Sequence, residues 1–133
     1  MDAGTDDYGI VIAGAGGVGL TLACALADAL GASFPIAVVD KADLGGGRRS
    51  GDIRASAISA GSKGVLAALG IWPALAPHAQ EVTGIDITDA SLDDMFHPLL
   101  VRYDNTVDDG DPATFIVENA RLHDAIAAAV AKR

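Results

Sequence analysis

The sequence predicts an α/β fold, and three consecutive features carry this prediction. The apolar run 10–13, rich in β-branched residues, leads into Gly14, Gly16 and Gly19 at the spacing G-x-G-x-x-G. A stretch rich in alanine and leucine follows these glycines directly, as expected of a helix. A second apolar run, 36–39, then ends at Asp40. Strand, tight turn, helix and strand in this order indicate a Rossmann-like βαβ unit.

Each glycine has its own physical task in such a unit. Gly14 permits the tight turn, Gly16 lets the backbone approach a pyrophosphate, and Gly19 lets the helix pack close to the strand. An anion then binds the unpaired N–H groups at the positive N-terminus of the helix. Three glycines among the 16 of this chain could also form only a flexible turn. The ordered strands, the helix and the terminal acid favour a nucleotide site instead.

Asp40 lies 21 residues after Gly19, at the end of the second apolar run. A carboxylate there is placed to accept both ribose hydroxyls of an adenosine. It also argues against a 2′-phosphate, because the two anions would repel each other. The sequence therefore predicts bound FAD or NAD rather than NADP.

The remaining helices follow from apolar spacing. A first helix over 18–30 should cover the sheet with an apolar stripe, and 41–51 should be a surface loop. A second helix should begin near Ser59 and end at Gly70, and a short one over 71–78 should carry Pro73 in its first turn. Asn119 should cap a last helix. The expected stripe of the first helix is Val18, Leu22, Leu26 and Leu30, and that of the last is Leu122, Ile126 and Val130.

Alternating residues predict the start of an antiparallel β region. Ile85 and Ile87 should face one side of a strand over 82–89, with Asp86 and Thr88 on its wet side. A second strand over 98–103 should follow after a turn at 90–94.

Length and composition set limits on the class of protein. With 133 residues, the chain is one domain at most and short for a complete nucleotide-dependent oxidoreductase, so we expect a fragment. No run reaches the roughly 18–20 apolar residues of a membrane span, and the acidic N-terminus does not resemble a signal peptide. We therefore expect a cytoplasmic location.

The charge of the chain excludes some partners and its cysteine and histidine content excludes some sites. The net charge is −9, and in the segment 81–111 nine residues are acidic while only Arg102 is basic. This negative charge excludes nucleic acid as a partner and disfavours contact with an anionic membrane. Cys24 is the single cysteine, which excludes a disulfide framework, and it should be a small buried residue. His78, His97 and His123 show no ligand spacing, so no metal site is expected.

Three stretches together resemble the flavoprotein aromatic hydroxylases of the para-hydroxybenzoate hydroxylase type, and among them the ubiquinone-biosynthesis hydroxylases. The first is the glycine fingerprint with Asp40. The second is the segment 51–55, Gly-Asp-Ile-Arg-Ala, ahead of a helix that ends in Leu-Gly-Ile-Trp at 69–72. The third is 117–119, Val-Glu-Asn, ahead of a helix that contains Arg121. The middle motif discriminates best, because NAD-dependent dehydrogenases have no reason to place an arginine there.

The resemblance implies a set of FAD-binding residues. Gly14, Gly16 and Gly19 would hold the pyrophosphate, and Asp40 the adenosine ribose. Gly17 stands where the family usually has proline, and it keeps its N–H donor. Arg54 would reach the phosphate and ribityl side of the flavin, while Glu118 and Arg121 would lie near it. These assignments have alternatives: Arg54 as a surface residue paired with Asp52, and Glu118 as an acid at a helix N-terminus.

The resemblance also implies an activity. The whole protein would be an FAD-dependent monooxygenase that uses NADPH or NADH and O₂ to hydroxylate an aromatic, prenylated ring in ubiquinone biosynthesis. The full-length protein would then contact the inner membrane peripherally or join a biosynthetic complex. Residues 1–133 would be its N-terminal FAD-binding portion with the start of the substrate region, inactive alone because the family's downstream Asp-Gly and Gly-Asp motifs are absent. No catalytic residue is assigned. The alternatives are another FAD or NAD oxidoreductase, or a non-catalytic nucleotide-binding module.

Overall fold

The computed structural model describes residues 7–41, 53–89, 95–96, 98–107 and 110–133. These residues form a mixed α/β fold with three small sheets. In chain order the elements are β1 (Ile10–Ala13), α1 (Gly17–Leu30), β2 (Ile36–Val39), β3 (Ala55–Ser59), α2 (Ala60–Ala68), α3 (Trp72–Leu75), a 3-10 turn (Ala76–His78), β4 (Gln80–Val82), β5 (Gly84–Thr88), β6 (Leu99–Asp104), β7 (Thr114–Glu118) and α4 (Asn119–Val130).

The strands β1 and β2 pair in parallel, and α1 connects them. Ile10 lies opposite Ile36 and Ala13 opposite Val39, so both strands end at the same edge of this sheet. The glycine-rich turn and Asp40 follow directly after those two ends. The predicted strand–helix–strand order is confirmed, and it brings two segments that are distant in sequence to one edge.

A second sheet is antiparallel, with β7 between β3 and β4. The apolar run 115–117 lies in β7, where Phe115 and Val117 are buried. The helix expected near Ser59 is confirmed as α2, and the Ser59 hydroxyl accepts a hydrogen bond from the Ser62 N–H at 3.2 Å. This is the usual way a serine satisfies an N–H group at a helix start. The short helix with Pro73 in its first turn is confirmed as α3 and the following 3-10 turn.

The third sheet is the antiparallel ribbon of β5 and β6. The antiparallel strand expected over 82–89 is confirmed as β5, but it starts later than expected, because Val82 ends β4 in a different sheet. Ile85 and Ile87 do share a face, as expected, but each is 43% exposed. The antiparallel strand over 98–103 is confirmed as β6, and the turn expected at 90–94 lies outside the described residues.

The hydrophobic core lies where α1, α2, α3 and α4 meet the buried faces of β3 and β7. Trp72 contacts the Phe115 ring edge-to-face with centroids 5.2 Å apart. In α4, Ile126 is buried and Leu122 and Val130 pack against the core, which confirms that stripe. The buried members of this cluster are Ala15, Leu20, Cys24, Ile58, Leu66, Ile71, Leu75, Phe115, Val117, Ile126 and Ala129.

The stripe expected to bury α1 against the sheet is wrong. Val18 is 87% exposed, and Leu22 and Leu30 are exposed as well, whereas Leu20, Ala23 and Cys24 are buried. The face of α1 that carries Leu20 and Cys24 packs against α4, in one cluster with Ile126 and Ala129. Cys24 is confirmed as a small buried residue. It is a free cysteine with no exposed surface, and its burial raises the pKa of the thiol.

Arg133 connects the ends of three helices. Its guanidinium donates to both carboxylate oxygens of Asp28, at 2.6 and 2.7 Å, and to the carbonyl oxygens of Leu69 and Ala129 at 3.0 and 2.9 Å. The hydrogen bonds from Arg133 lower the pKa of the Asp28 carboxyl. These contacts join α1 and α4 to the residue that follows α2.

Candidate functional site

The glycine-rich turn leaves β1 in a conformation that favours glycine. Gly14 has φ of +109°, in the region that residues with a Cβ rarely adopt. Its N–H donates to the Val39 carbonyl oxygen at 2.7 Å. The next N–H, that of Ala15, donates to Asp40 Oδ2, also at 2.7 Å. Two consecutive hydrogen bonds therefore tie the turn to the end of β2.

Gly19 allows α1 to lie directly on this turn. A Cβ placed on Gly19 would be 1.9 Å from the Gly14 carbonyl oxygen and 3.4 Å from Ile12 Cγ2. No side chain fits in that space, so helix and turn can approach only through a glycine. This agrees with the task that the sequence predicts for Gly19.

The N-terminus of α1 is open to an anion. Gly16 is the N-cap residue in extended conformation, with φ of −74° and ψ of 178°, and no side chain caps the helix. The N–H groups of the first helical residues have no acceptor within the helix, and the helix dipole is positive there. A Cβ on Gly16 would meet nothing within 4 Å, whereas one on Gly17 would lie 3.7 Å from Ile126 Cδ1. The Gly16 side of the turn is thus open, and the Gly17 side faces α4.

A shallow groove of about 440 Å³ runs along this edge of the sheet. Ala13 and Val39 supply apolar walls, Gly14 supplies backbone, and Asp40 and Lys41 supply charge. The groove joins Gly14, the first glycine of the fingerprint, to Asp40. The structure therefore brings together these predicted site residues, which are separated by the whole of α1.

The other predicted site residues lie on the β3–β7–β4 sheet, at the start of α4. The Arg54 carbonyl accepts a hydrogen bond from the Asn119 N–H at 3.0 Å, and Glu118 pairs with Ala55 in the β3–β7 ladder. The Glu118 carboxylate forms an ion pair with Arg121 at 2.9 Å, with their side chains 65% and 38% exposed. Arg54, Glu118 and Arg121 are thus neighbours through β3, β7 and α4.

Glu118 and Arg54 each have an alternative role that needs no flavin. Glu118 is the N-cap residue of α4, without a side-chain cap bond, which agrees with its alternative as an acid at a helix N-terminus. The alternative pairing of Arg54 with Asp52 lies outside the described residues. The helix α4 that follows Glu118 packs against α1, with Ile126 next to Gly17.

Two polar contacts near these residues were not predicted from the sequence. The expectation that Asn119 caps α4 is wrong: its Oδ1 accepts a hydrogen bond from the Ser56 hydroxyl at 2.6 Å, which joins β3 to α4. The Lys63 ammonium lies 4.5 Å from the centre of the Phe115 ring and 5.7 Å from that of Trp72, a cation–π arrangement. Neither contact has a local signal, because its partners are far apart in sequence.

Residues 7–41, 53–89, 95–96, 98–107 and 110–133 contain neither a metal-binding group of side chains nor a membrane-spanning helix. In that part of the chain no three His, Cys, Asp or Glu residues are grouped so that they could hold a metal ion. The same residues contain no helix with the length and apolar character needed to cross a membrane.

Similarity to known proteins was found in sequence and in structure. No protein-family model matches the chain. Over 118 residues, 88% of the chain, it is 33% identical to the ubiquinone hydroxylase UbiL of Rhodospirillum rubrum, and it spans about a quarter (25%) of that protein's length. The crystal structure of the tetracycline destructase Tet(51) matches 91% of the chain with a TM-score of 0.51 and 17% identity, and 27% of its own chain is covered. The chain is therefore a distant relative of a hydroxylase and shares the fold of part of Tet(51).

Proposed function

We propose that this chain is the FAD-binding portion, residues 1–133, of an NAD(P)H-dependent flavin monooxygenase. The observation that carries the proposal is the groove at the ends of β1 and β2, which Gly14 and Asp40 line, together with the hydrogen bond that ties Asp40 to the turn ahead of the uncapped N-terminus of α1. The distant relationship to a ubiquinone hydroxylase agrees with this class of enzyme.

The residues at the groove fit the adenosine diphosphate half of FAD. A pyrophosphate would be held by the unpaired N–H groups at the start of α1, next to Gly16, where no side chain intrudes. The Asp40 carboxylate would accept the ribose hydroxyls, and its negative charge disfavours a 2′-phosphate. Arg54, Glu118 and Arg121 remain proposed as the residues on the flavin side.

When bound, FAD supplies the redox chemistry, with NADPH or NADH as the reductant and O₂ as the oxidant. The part of this chain would be to bind the cofactor and to orient it. We propose an aromatic, prenylated substrate of ubiquinone biosynthesis, because the sequence resemblance and the name of the bacterial relative point the same way.

A non-catalytic nucleotide-binding module is the second candidate. The ion pair between Glu118 and Arg121 favours it, since two residues that neutralise each other at the surface need no cofactor to explain them. In that case the groove would bind a nucleotide without a flavin-side cluster.

Cofactor choice tests the proposal directly. The purified chain would be titrated with FAD, NAD⁺ and NADP⁺, with binding followed by flavin fluorescence and by calorimetry. We expect FAD to bind more tightly than NAD⁺, and NADP⁺ to bind most weakly because Asp40 opposes its 2′-phosphate. Failure of the folded chain to bind FAD would contradict the proposal, and equal affinity for FAD and ADP would favour the module.

The flavin-side assignment is tested by Arg54→Lys. We expect the exchange to weaken FAD binding about fivefold, roughly 1 kcal/mol, because an ammonium cannot reproduce the planar two-donor guanidinium. ADP affinity should stay the same, since ADP lacks the flavin half. The readout is the dissociation constant of each ligand.

Arg102→Lys is the matched control for this exchange. Arg102 forms a two-donor pair with Asp86 in the β5–β6 ribbon, with both hydrogen bonds at 2.7 Å. We expect this variant to bind FAD like the parent chain. If Arg54→Lys bound FAD equally well, Arg54 would be only a surface residue.

A further inference from the structure

We propose that Asp40 is a positioning residue for the pyrophosphate turn as well as a contact for the ribose. Its carboxylate holds the glycine-rich turn in shape in the chain without nucleotide. Removing it should therefore weaken the binding of a diphosphate group that it does not itself touch. The effect on ligands rests on the proposed function, whereas the effect on the turn does not.

A hydrogen bond from Ala15 ties the turn to Asp40. The Ala15 N–H donates to Asp40 Oδ2 at 2.7 Å, and Ala15 is only 4% exposed. A buried N–H that loses its acceptor is costly, because little water can reach it. The carboxylate thus satisfies a backbone donor 25 residues away in the sequence.

The conformation of the turn depends on contacts of this kind. Gly14 has φ of +109° and no Cβ, so its own local preferences do not select this conformation over others. The selection comes from the hydrogen bonds to Val39 and Asp40 and from the contact of Gly19 with the Gly14 carbonyl. Gly16 and the N–H groups at the start of α1 follow directly, so their direction depends on the same contacts.

If Asp40 acted only through its negative charge, removing it would strengthen the binding of a diphosphate group. Asp40 lines the groove next to Gly14, so its negative charge repels a phosphate there. If the carboxylate acted only through its charge and its ribose contact, removing it would leave a ligand without ribose hydroxyls bound equally or more tightly. If it shapes the turn, the same removal weakens that ligand.

The first test uses the chain without nucleotide. Amide hydrogen exchange at Ala15 would be measured by NMR in the parent chain, Asp40→Ala and Asp40→Asn, with Asp89→Asn as a control at an exposed position after β5. We expect exchange about tenfold faster or more in Asp40→Ala, an intermediate rate in Asp40→Asn, whose amide oxygen is a weaker acceptor, and no change in the control. Should Asp40→Ala fail to fold, Asp40→Asn carries the comparison.

The second test compares ADP with 2′,3′-dideoxy-ADP, which lacks both ribose hydroxyls. We expect Asp40→Ala to weaken ADP about tenfold or more and the dideoxy analogue at least about threefold, because both need the same turn. The difference between the two ligands then measures the ribose contact alone.

The outcomes distinguish the role of Asp40 in shaping the turn from the proposed nucleotide-binding function. Unchanged exchange at Ala15 in Asp40→Ala would overturn the inference, and so would a dideoxy analogue that binds the variant as well as the parent. If exchange rises but neither nucleotide binds the parent chain, the proposed function fails while the role of Asp40 in shaping the turn stands.

Discussion

Gly19→Ala is expected to destabilise the chain by about 3 kcal/mol, at the upper end of what overpacking costs. The added Cβ would lie 1.9 Å from the Gly14 carbonyl oxygen and 3.1 Å from its carbonyl carbon. These are backbone atoms of a turn that β2 already holds, so neither side can move away cheaply. Either α1 shifts off the sheet or the turn loses its hydrogen bonds. Chemical denaturation of the purified chain measures the change in the free energy of unfolding.

Gly64→Ala is the matched control for this prediction. Gly64 lies within α2, and a Cβ there would meet nothing within 4 Å. Alanine is the better helix former, so this exchange should stabilise the chain by about 0.5–1 kcal/mol. The same substitution is thus expected to lower the free energy of unfolding at Gly19 and to raise it at Gly64. A Gly19→Ala chain as stable as the parent would show that α1 does not depend on close contact with the turn.

Gly16→Val should weaken nucleotide binding strongly and leave the fold intact. Gly16 has extended backbone angles, which valine adopts readily, and its Cβ would enter open space. Under the proposed function that space belongs to the pyrophosphate. We expect FAD affinity to fall by about thirtyfold or more, roughly 2 kcal/mol, with the unfolding temperature within a few degrees of the parent value. Flavin fluorescence titration and thermal denaturation give the two readouts.

Gly64→Val is the control for the size of the substitution. It adds the same side chain at an open position of α2 and should bind FAD like the parent. If the Gly16→Val chain retained full FAD affinity, the start of α1 could not be the phosphate site. That result would remove the central support of the proposed function, although the βαβ geometry would remain.

The sequence by itself determined the elements whose signals are local. The turn after β1 was predictable because Gly14 and Gly19 stand at fixed spacing beside apolar runs, and a tight turn with close helix packing tolerates few other residues there. The start of α2 was predictable from Ser59 and the stripe of α4 from its apolar spacing. The position of Asp40 at the end of β2 follows from the same local order, which is why this half of the candidate site was predicted.

Only the tertiary structure decided the features that depend on distant partners. The apolar spacing in α1 favoured the Val18 face, but Leu20 and Cys24 are the α1 residues buried in one cluster with Ile126 and Ala129 of α4. The run 82–89 is interrupted at Thr83 because Val82 pairs with β7, whereas the residues from Gly84 onward pair with β6. The hydrogen bond from Ala15 to Asp40 spans 25 residues and that from Ser56 to Asn119 spans 63. Such contacts leave no periodic trace in the sequence, since their partners become neighbours only when the chain folds.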